Sequence, residues 1–160
     1  MLANVYIYRV TDQLTDQELR IWRSALTIAD ILRFRVSLDV KAISDLSQAE
    51  HSVLMHIKEA AGAGIGQQRL ADTMFWSKSR LSRQLTRMQA KGLIERTVGA
   101  DKTVQVALTD RGRQAIDATD SAHARSVRRN LFQVATGEEL TTLLRLADRL
   151  LHEVDGDLPR

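Results

Sequence analysis

The spacing of apolar residues first predicts a long helix near each end of the chain. Thr15 and Glu18 have the spacing of a capping box, so a helix is predicted to begin there and to continue to about Leu38. A second box, Thr136 with Glu139, precedes the last helix. The apolar residues of that last helix form one broad stripe, made of Leu140, Leu143, Leu144, Ala147, Leu150, Leu151 and Val154.

Between these ends, the pattern predicts three shorter helices. The first has a capping box at Ser47 and Glu50 and should end near Gly62 or Gly64, and the second covers residues 67–74. Phe75 and Trp76 form a turn, after which Ser77 caps a helix that stops at Gly92. Two short helices joined by such a turn, the second of them basic, are typical of a helix-turn-helix.

After Gly92 the period changes from that of a helix to that of a strand. Residues 93–98 and 103–108 are rich in strand-forming residues, and residues 99–102 between them predict a hairpin with a charged tip. Another helix is predicted from Thr109 and Asp110 to about Gln133. The predicted fold is therefore mainly α with a small β-wing (α+β). Residues 1–12 alternate loosely and are assigned no function.

The net positive charge of the chain is concentrated around the helix after Ser77. Residues 76–96 contain six Lys or Arg and one Glu, a balance of +5, while the whole chain has a net charge of +3. Leu81, Leu85 and Met88 form a narrow apolar stripe, and a different arc holds Arg80, Arg83, Gln84 and Arg87 without any acid. Such an arc supplies donors for phosphates and for base edges in a major groove. In a helix taken alone, such an arc is more often a solvated face.

Composition narrows the function classes. The chain has 160 residues, 44% of them hydrophobic and 27% charged, as expected of one soluble globular domain. It has no cysteine, which excludes disulfides, thiolate metal sites and cysteine nucleophiles. No apolar run long enough for a membrane span and no signal peptide is found, so a cytoplasmic location is expected.

No chemistry of an enzyme is evident in the sequence. There is no phosphate-binding glycine loop, nucleophile elbow or paired-acid constellation, and Glu138 and Glu139 are explained by helix capping. His51 and His56 are five residues apart, so they do not form the i, i+4 pair that ligates zinc on one helical face. No cofactor and no metal site are predicted.

Several short segments, in this order and spacing, resemble the MarR (multiple antibiotic resistance regulator) family of winged helix-turn-helix transcriptional regulators. The likeness is carried by residues 46–50 (LSQAE), 68–71 (QRLA), 79–83 (SRLSR), 91–96 (KGLIER) and 108–112 (LTDRG). Each segment is weak alone, but their order and spacing together are specific, and the order of predicted elements extends the resemblance over nearly the whole length of the chain.

The resemblance implies a single domain over residues 1–160 that binds DNA as a homodimer, most often as a repressor. It places dimerisation helices at residues 13–40 and 110–155 and a winged helix-turn-helix lobe at residues 46–109. Its operator would be a short inverted repeat of double-stranded DNA, and its effector a small aromatic or phenolic molecule bound between the dimer helices and the lobe. The candidate DNA-binding residues are Ser77, Lys78, Ser79, Arg80, Arg83, Gln84, Arg87 and Lys102.

Two places depart from the family pattern. Members usually carry an Asp-x-Arg wing motif whose Arg enters the minor groove, but here Asp101 and Lys102 are followed by Thr103. The minor-groove role would fall to Lys102, be weakened or be lost. The other departure is the bulky turn pair Phe75 and Trp76, which could fill the core, line a ligand pocket together with Trp22, or rest against DNA.

Two alternatives stay open at this point. The terminal helices could fold back into a monomeric bundle instead of forming a dimer. The winged helix could also be a protein-interaction module without specific DNA binding. Salt dependence separates the latter from a DNA-binding protein, because neutralising several phosphates makes affinity fall steeply with salt.

Overall fold

The computed structural model describes residues 13–60, 64–99 and 102–157, with side chains through residue 153. Residues 1–12, Gly62 and Asp101 lie outside the described residues, as does the side chain of Val154. The helices are α1 (Asp16–Lys41), α2 (Gln48–Glu59), α3 (Gln67–Thr73), α4 (Lys78–Ala90), α5 (Asp110–Asp117), α6 (Asp120–Val127), a π-helical turn (Arg128–Phe132) and α7 (Gly137–Asp157). The strands are β1 (Ile65–Gly66), β2 (Ile94–Val98) and β3 (Val104–Leu108). The predicted fold class, mainly α with a small β-wing, is confirmed.

The capping boxes begin helices where the sequence predicts them. Thr15 Oγ1 accepts from the Glu18 amide at 3.2 Å, and a Glu18 carboxylate oxygen accepts from the Thr15 amide at 2.7 Å. Ser47 and Glu50 make the same reciprocal pair, with the Glu50 oxygen 2.9 Å from the Ser47 amide. These bonds satisfy amides at the helix start that have no partner within the helix.

The sheet has three antiparallel strands in the order β1-β3-β2, one more than the predicted hairpin. The added strand is β1, in which Ile65 is the partner of Val106. Gly64 precedes it with φ +130°, and a Cβ there would lie 2.6 Å from the Val106 carbonyl oxygen. A two-residue strand is too short for periodicity to reveal, so its position depends on this close backbone approach.

One hydrophobic core joins the helices and strands in the middle of the chain. It is built from apolar side chains of α2, α3, α4, the sheet and α5, with Leu54, Leu70, Leu81, Leu85, Val106 and Ile116 all fully buried. Because α4 contributes three of the side chains in this core, the core determines which face of α4 remains exposed.

The predicted single helix over residues 110–133 is wrong, because the chain turns between α5 and α6. The buried Thr119 hydroxyl donates to the Ile116 carbonyl at 2.7 Å, and such side-chain bonds compete with helix continuation. The break redirects the chain, since α5 packs on α2 and β3 whereas α6 packs on α1.

The helix at the end of the chain, α7, is largely uncovered. Every described side chain from Thr141 to Glu153 is exposed, including Leu144 and Leu151. Helix α1 also exposes large apolar side chains, among them Ile21, Trp22 and Phe34. Within the described residues, no helix is long and apolar enough to cross a membrane.

Gly112 lies where the start of α5 meets the connection between α4 and β2. The Thr109 hydroxyl caps α5 by accepting from the Gly112 amide at 3.0 Å and donates to the Gly92 carbonyl at 2.7 Å. A Cβ on Gly112 would lie 1.9 Å from the Leu93 carbonyl oxygen. Only glycine therefore allows the two backbones to approach this closely.

Gly112→Ala should destabilise the fold by about 2 kcal/mol or more, since backbone atoms must move to admit the methyl group. Gly137→Ala is the matched control, because a Cβ there meets nothing within 4 Å and alanine favours the helix. Urea denaturation at one fixed protein concentration measures both. Equal stability of the two variants would show that the close approach at Leu93 is not constrained.

Candidate nucleic-acid interface

Helix α4 buries its apolar stripe and exposes its basic side. Leu81, Leu85 and Met88 are fully buried, as the spacing predicts. The helix begins at Ser77, whose hydroxyl accepts from the Arg80 amide at 3.3 Å. This cap therefore fixes the residue at which α4 begins.

The exposed side of α4 carries several cationic side chains and no acidic one. Lys78, Arg80, Arg83 and Arg87 are exposed there, and the helix contains no acidic residue. Ser77 and Ser79 are exposed at its first turn, with their hydroxyl oxygens 3.3 Å apart. Guanidinium and hydroxyl groups at the start of such a helix are suited to base edges and phosphate oxygens.

Gln84 does not belong to this exposed arc, which corrects its predicted place there. It is 4% exposed, and its side-chain oxygen accepts a hydrogen bond from the Arg87 guanidinium. At 100° per residue, Gln84 lies only about 40° from the Met88 direction, so it borders the apolar stripe and is drawn into the core edge. The Gln84 side chain thus hydrogen-bonds to Arg87 at the edge of the core, and its amide is not exposed to solvent.

The two aromatic residues of the turn have different environments. Trp76 is partly buried and packs against the core, and its amide donates to the Ala71 carbonyl at 2.9 Å. Its ring supports Arg80, whose guanidinium carbon is 4.0 Å from the ring centroid. Phe75 is 68% exposed and adopts φ +51°, a left-handed conformation uncommon for a bulky residue. Only Trp76, therefore, fills the core under the turn.

Contacts that the sequence did not reveal hold α4 to its neighbours. Lys91, at the end of α4, lies 2.6 Å from the Glu50 carboxylate, which is nearly fully buried. Burial opposes ionisation of Glu50, but hydrogen bonds from Lys91 and Ser47 outweigh it and keep the pKa of the carboxyl below its ordinary value. The capping-box pattern identified Glu50 only as a helix start.

The wing is attached to the same helix. Arg96 of β2 donates to the Gln89 side-chain oxygen at 2.8 Å and to the Thr86 hydroxyl at 3.2 Å. At the tip, Lys102 is exposed with φ +62°, and its amide donates to the Gly99 carbonyl at 2.9 Å. Lys102 thus lies at the exposed end of a hairpin whose first strand contacts α4.

A separate cavity of about 380 Å³ lies between α1, α2, α6 and the π-helical turn. Its walls are mostly apolar and include Val36, Met55 and Leu131. Trp22, Phe75 and Trp76 do not line it, so the predicted aromatic lining is not found there. Trp22 instead lies on the exposed face of α1, and the other two are held in the turn before α4.

Three histidines do line this cavity, namely His51, His56 and His123. His51 is 8% exposed, and its buried Nε2 has no hydrogen-bond partner within the described residues. Its ring lies 5.3 Å from that of His123, while His56 Nδ1 is 2.8 Å from the Ser52 carbonyl oxygen. Among the described residues, no group of three potential ligands is arranged to hold a metal ion.

The electrostatic state of His51 follows from its burial. Desolvation and the neighbouring His123 lower the pKa of His51 to about 4, against a smaller opposing effect of Asp120. At neutral pH the ring is therefore uncharged, and Nε2 is available to donate or to accept one hydrogen bond within the cavity.

Comparisons with known proteins agree with this geometry. The MarR family model matches residues 44–102, which include the helix-turn-helix. AbsC, a MarR family transcriptional regulator from Streptomyces coelicolor, has 28% identity and a TM-score of 0.79, over 91% of this chain and 99% of that chain. No curated protein sequence matches the chain.

Two further structures, solved with DNA, share the fold. A second MarR family regulator from Streptomyces coelicolor, in complex with DNA, has 23% identity and a TM-score of 0.77, over 88% of this chain and 89% of that chain. A mutant of MarR from E.coli, complexed with operator DNA, has 22% identity and a TM-score of 0.74, over 87% of this chain and 99% of that chain. The family model thus matches the helix-turn-helix lobe with its basic helix, and the fold is shared along most of the chain, so this chain is similar to MarR family transcriptional regulators.

Proposed function

We propose that the protein is a homodimeric, ligand-responsive repressor that binds a short inverted-repeat operator through α4. The observation that carries this proposal is the cationic, acid-free face of α4, held outward by three fully buried side chains on the opposite face. The residues proposed to contact DNA are Ser77, Lys78, Ser79, Arg80, Arg83 and Arg87 on the helix and its cap, with Lys102 at the wing tip. Gln84 is withdrawn from this set because it is buried.

Arg83 is the strongest candidate for a contact made only with DNA. It is exposed, and within the described part of the chain its side chain has no hydrogen bond or ion pair. Arg80 and Arg87, in contrast, rest on Trp76 and Gln84. An arginine without an internal partner keeps all its donors for phosphate or base contacts.

The dimer is supported by apolar surface that a single chain leaves exposed. Leu143, Leu144, Leu150 and Leu151 form part of an uncovered stripe on α7, and α1 adds several more apolar side chains. Large contiguous apolar surfaces of this kind mark interfaces. We therefore propose that the predicted terminal helices, residues 13–40 and 110–155, form a two-fold interface apart from α5, which packs on the lobe, and that residues 46–109 form the DNA-binding lobe. The two α4 helices would then read half-sites about 34–36 Å apart.

The same geometry supports the proposed repression and ligand response. A dimer that covers two adjacent major grooves within a promoter occludes the polymerase. The cavity between α1, α2 and α6 touches both the proposed dimer helices and the lobe that carries α4. A small aromatic molecule with one polar group would fill the apolar part and pair with His51 Nε2. Such a ligand can shift the lobe only if it binds the DNA-free arrangement more tightly.

Arg83→Ala should weaken binding to an operator selected from a random DNA pool. A base contact would cost about 1–3 kcal/mol and relax one operator position, while a phosphate contact would weaken all sequences alike and lower the salt slope by about one per subunit. Arg149→Ala on α7 is the charge-matched control and should leave affinity unchanged. Unaltered operator binding by Arg83→Ala would refute this contact. Binding nearly independent of salt would favour the protein-interaction alternative.

Leu144→Glu should convert the dimer to a folded monomer and reduce operator affinity by roughly tenfold or more, since one half-site then binds alone. The side chain is 65% exposed in a single chain, so the charge is buried only upon association. Thr142→Glu adds the same charge to the opposite face of α7 and is the control. Analytical ultracentrifugation distinguishes the states, and a stable Leu144→Glu dimer would exclude α7 from the interface.

Met55→Trp should fill the cavity and abolish the response to ligand while preserving operator affinity. Fluorescence anisotropy with labelled operator, titrated with benzoate and with phenol, measures both properties. We expect these probes to weaken binding by the wild-type protein roughly fivefold or more and the variant to be unaffected. Phe132→Trp, outside the cavity lining, is the control. An equal response in Met55→Trp and the wild type would exclude this cavity as the effector site.

A further inference from the structure

The turn before α4 holds one arginine of the DNA-facing side in a defined direction. Trp76 is anchored, because its ring packs against the core and its amide donates to the Ala71 carbonyl. Arg80 lies over the ring face, with the guanidinium carbon 4.0 Å from the centroid. Arg80 also provides the amide that the Ser77 cap binds, so both its backbone and its side chain are fixed.

Stacking on an aromatic face leaves the hydrogen-bonding edge of a guanidinium free. The attraction acts through the face of the guanidinium plane, whereas all five N–H donors point outward within that plane. A free arginine must give up the freedom of a long side chain before it can make a two-bond contact, and the stack removes much of that freedom in advance. The base edge that matches this fork is guanine, through O6 and N7.

We propose that Trp76 is a positioning residue that presents Arg80 to a guanine in the major groove of the operator. The inference rests on the proposed function, in which α4 enters that groove. It extends that function by assigning a base type to one residue and by giving a role to an aromatic turn residue. Trp76 itself touches no base in this arrangement and acts through Arg80.

The position of Arg80 in the helix supports this reading. Arg80 is in the first turn of α4, the part of a recognition helix that approaches base edges most closely. The opposite effect of the same contact would be to hold Arg80 away from DNA. In that case removing the Trp76 ring would release the arginine and tighten DNA binding. The direction of the change in affinity therefore distinguishes the two roles.

The experiment uses the selected operator and a copy in which the guanine assigned to Arg80 is replaced. That base is identified by repeating the selection with Arg80→Ala and locating the position where the guanine preference disappears. Trp76→Leu should lower the preference for guanine roughly three- to thirtyfold, the range expected for a cation–aromatic contact. Arg80→Lys should lose the preference while retaining salt-dependent binding, because an ammonium cannot form the planar fork.

Three further measurements separate positioning from a general loss of structure. Trp76→Phe retains a ring face and should restore most of the preference. The effects of Trp76→Leu and Arg80→Ala should not add, since the ring acts only through the arginine. In a Trp22→Phe background, where Trp76 is the one remaining tryptophan of the two in the chain, Arg80→Ala should change the emission of the free protein.

Each outcome has a defined meaning. An unchanged guanine preference in Trp76→Leu, tighter binding, or an equal loss for all sequences would overturn the positioning role. If Trp76→Leu does not fold, the comparison of Trp76→Phe, Arg80→Lys and Arg80→Ala decides, and additive effects of Trp76→Phe and Arg80→Ala reject the proposal. Failure of the proposed function is distinguishable, because Arg80→Ala and Arg83→Ala would then both leave operator binding intact.

Discussion

The packing of Leu81, Leu85 and Met88 into the central core is the interaction on which the proposed DNA-facing surface of α4 depends. These side chains fix the rotation of α4 about its own axis, because a turn of the helix in either direction would expose one of them. Full burial of a large apolar side chain contributes on the order of 1.5–3 kcal/mol. The exposed arginines contribute little to folding themselves, and their direction is a consequence of what the opposite face buries.

A second set of contacts fixes where the ends of α4 lie. At its C-terminal end, Lys91 pairs with the buried Glu50 carboxylate of α2, and Arg96 links β2 to the exposed side of α4. The capping hydroxyl of Thr109 donates to the Gly92 carbonyl, which joins the start of α5 to the end of α4. The Glu50 side chain is nearly fully buried while that of Lys91 is exposed, so removing Lys91 would leave a buried carboxylate without its cationic partner, and the pairing favours one arrangement.

Local signals explain which parts of this fold the sequence predicts. A capping box needs only residues three apart, as in Ser47 and Glu50, and the apolar stripe of α4 needs only its own period. The predictions that failed depend on burial and on tertiary contacts, which these local signals do not contain. Strand β1 exists because Gly64 lets the backbone approach Val106, and α5 ends where a buried Thr119 bonds its own turn. Gln84 borders the apolar stripe of α4. Its hydrogen bond with Arg87 and its place at the edge of the core determine that it is buried rather than exposed.

The same distinction applies to the cavity and the terminal helices. The sequence suggested aromatic residues as the lining of a ligand site. The cavity instead lies where α6 packs against α1 after the break at Thr119. His51 and His123, from helices far apart in the sequence, meet there. One wall belongs to the lobe that contains α4, and the other to the helices that expose the apolar surface. A molecule that changes the separation of these walls must move α2 relative to α1 and α6. Glu50 of α2 is paired with Lys91, so the helix that forms one wall of the cavity is in direct contact with the end of α4.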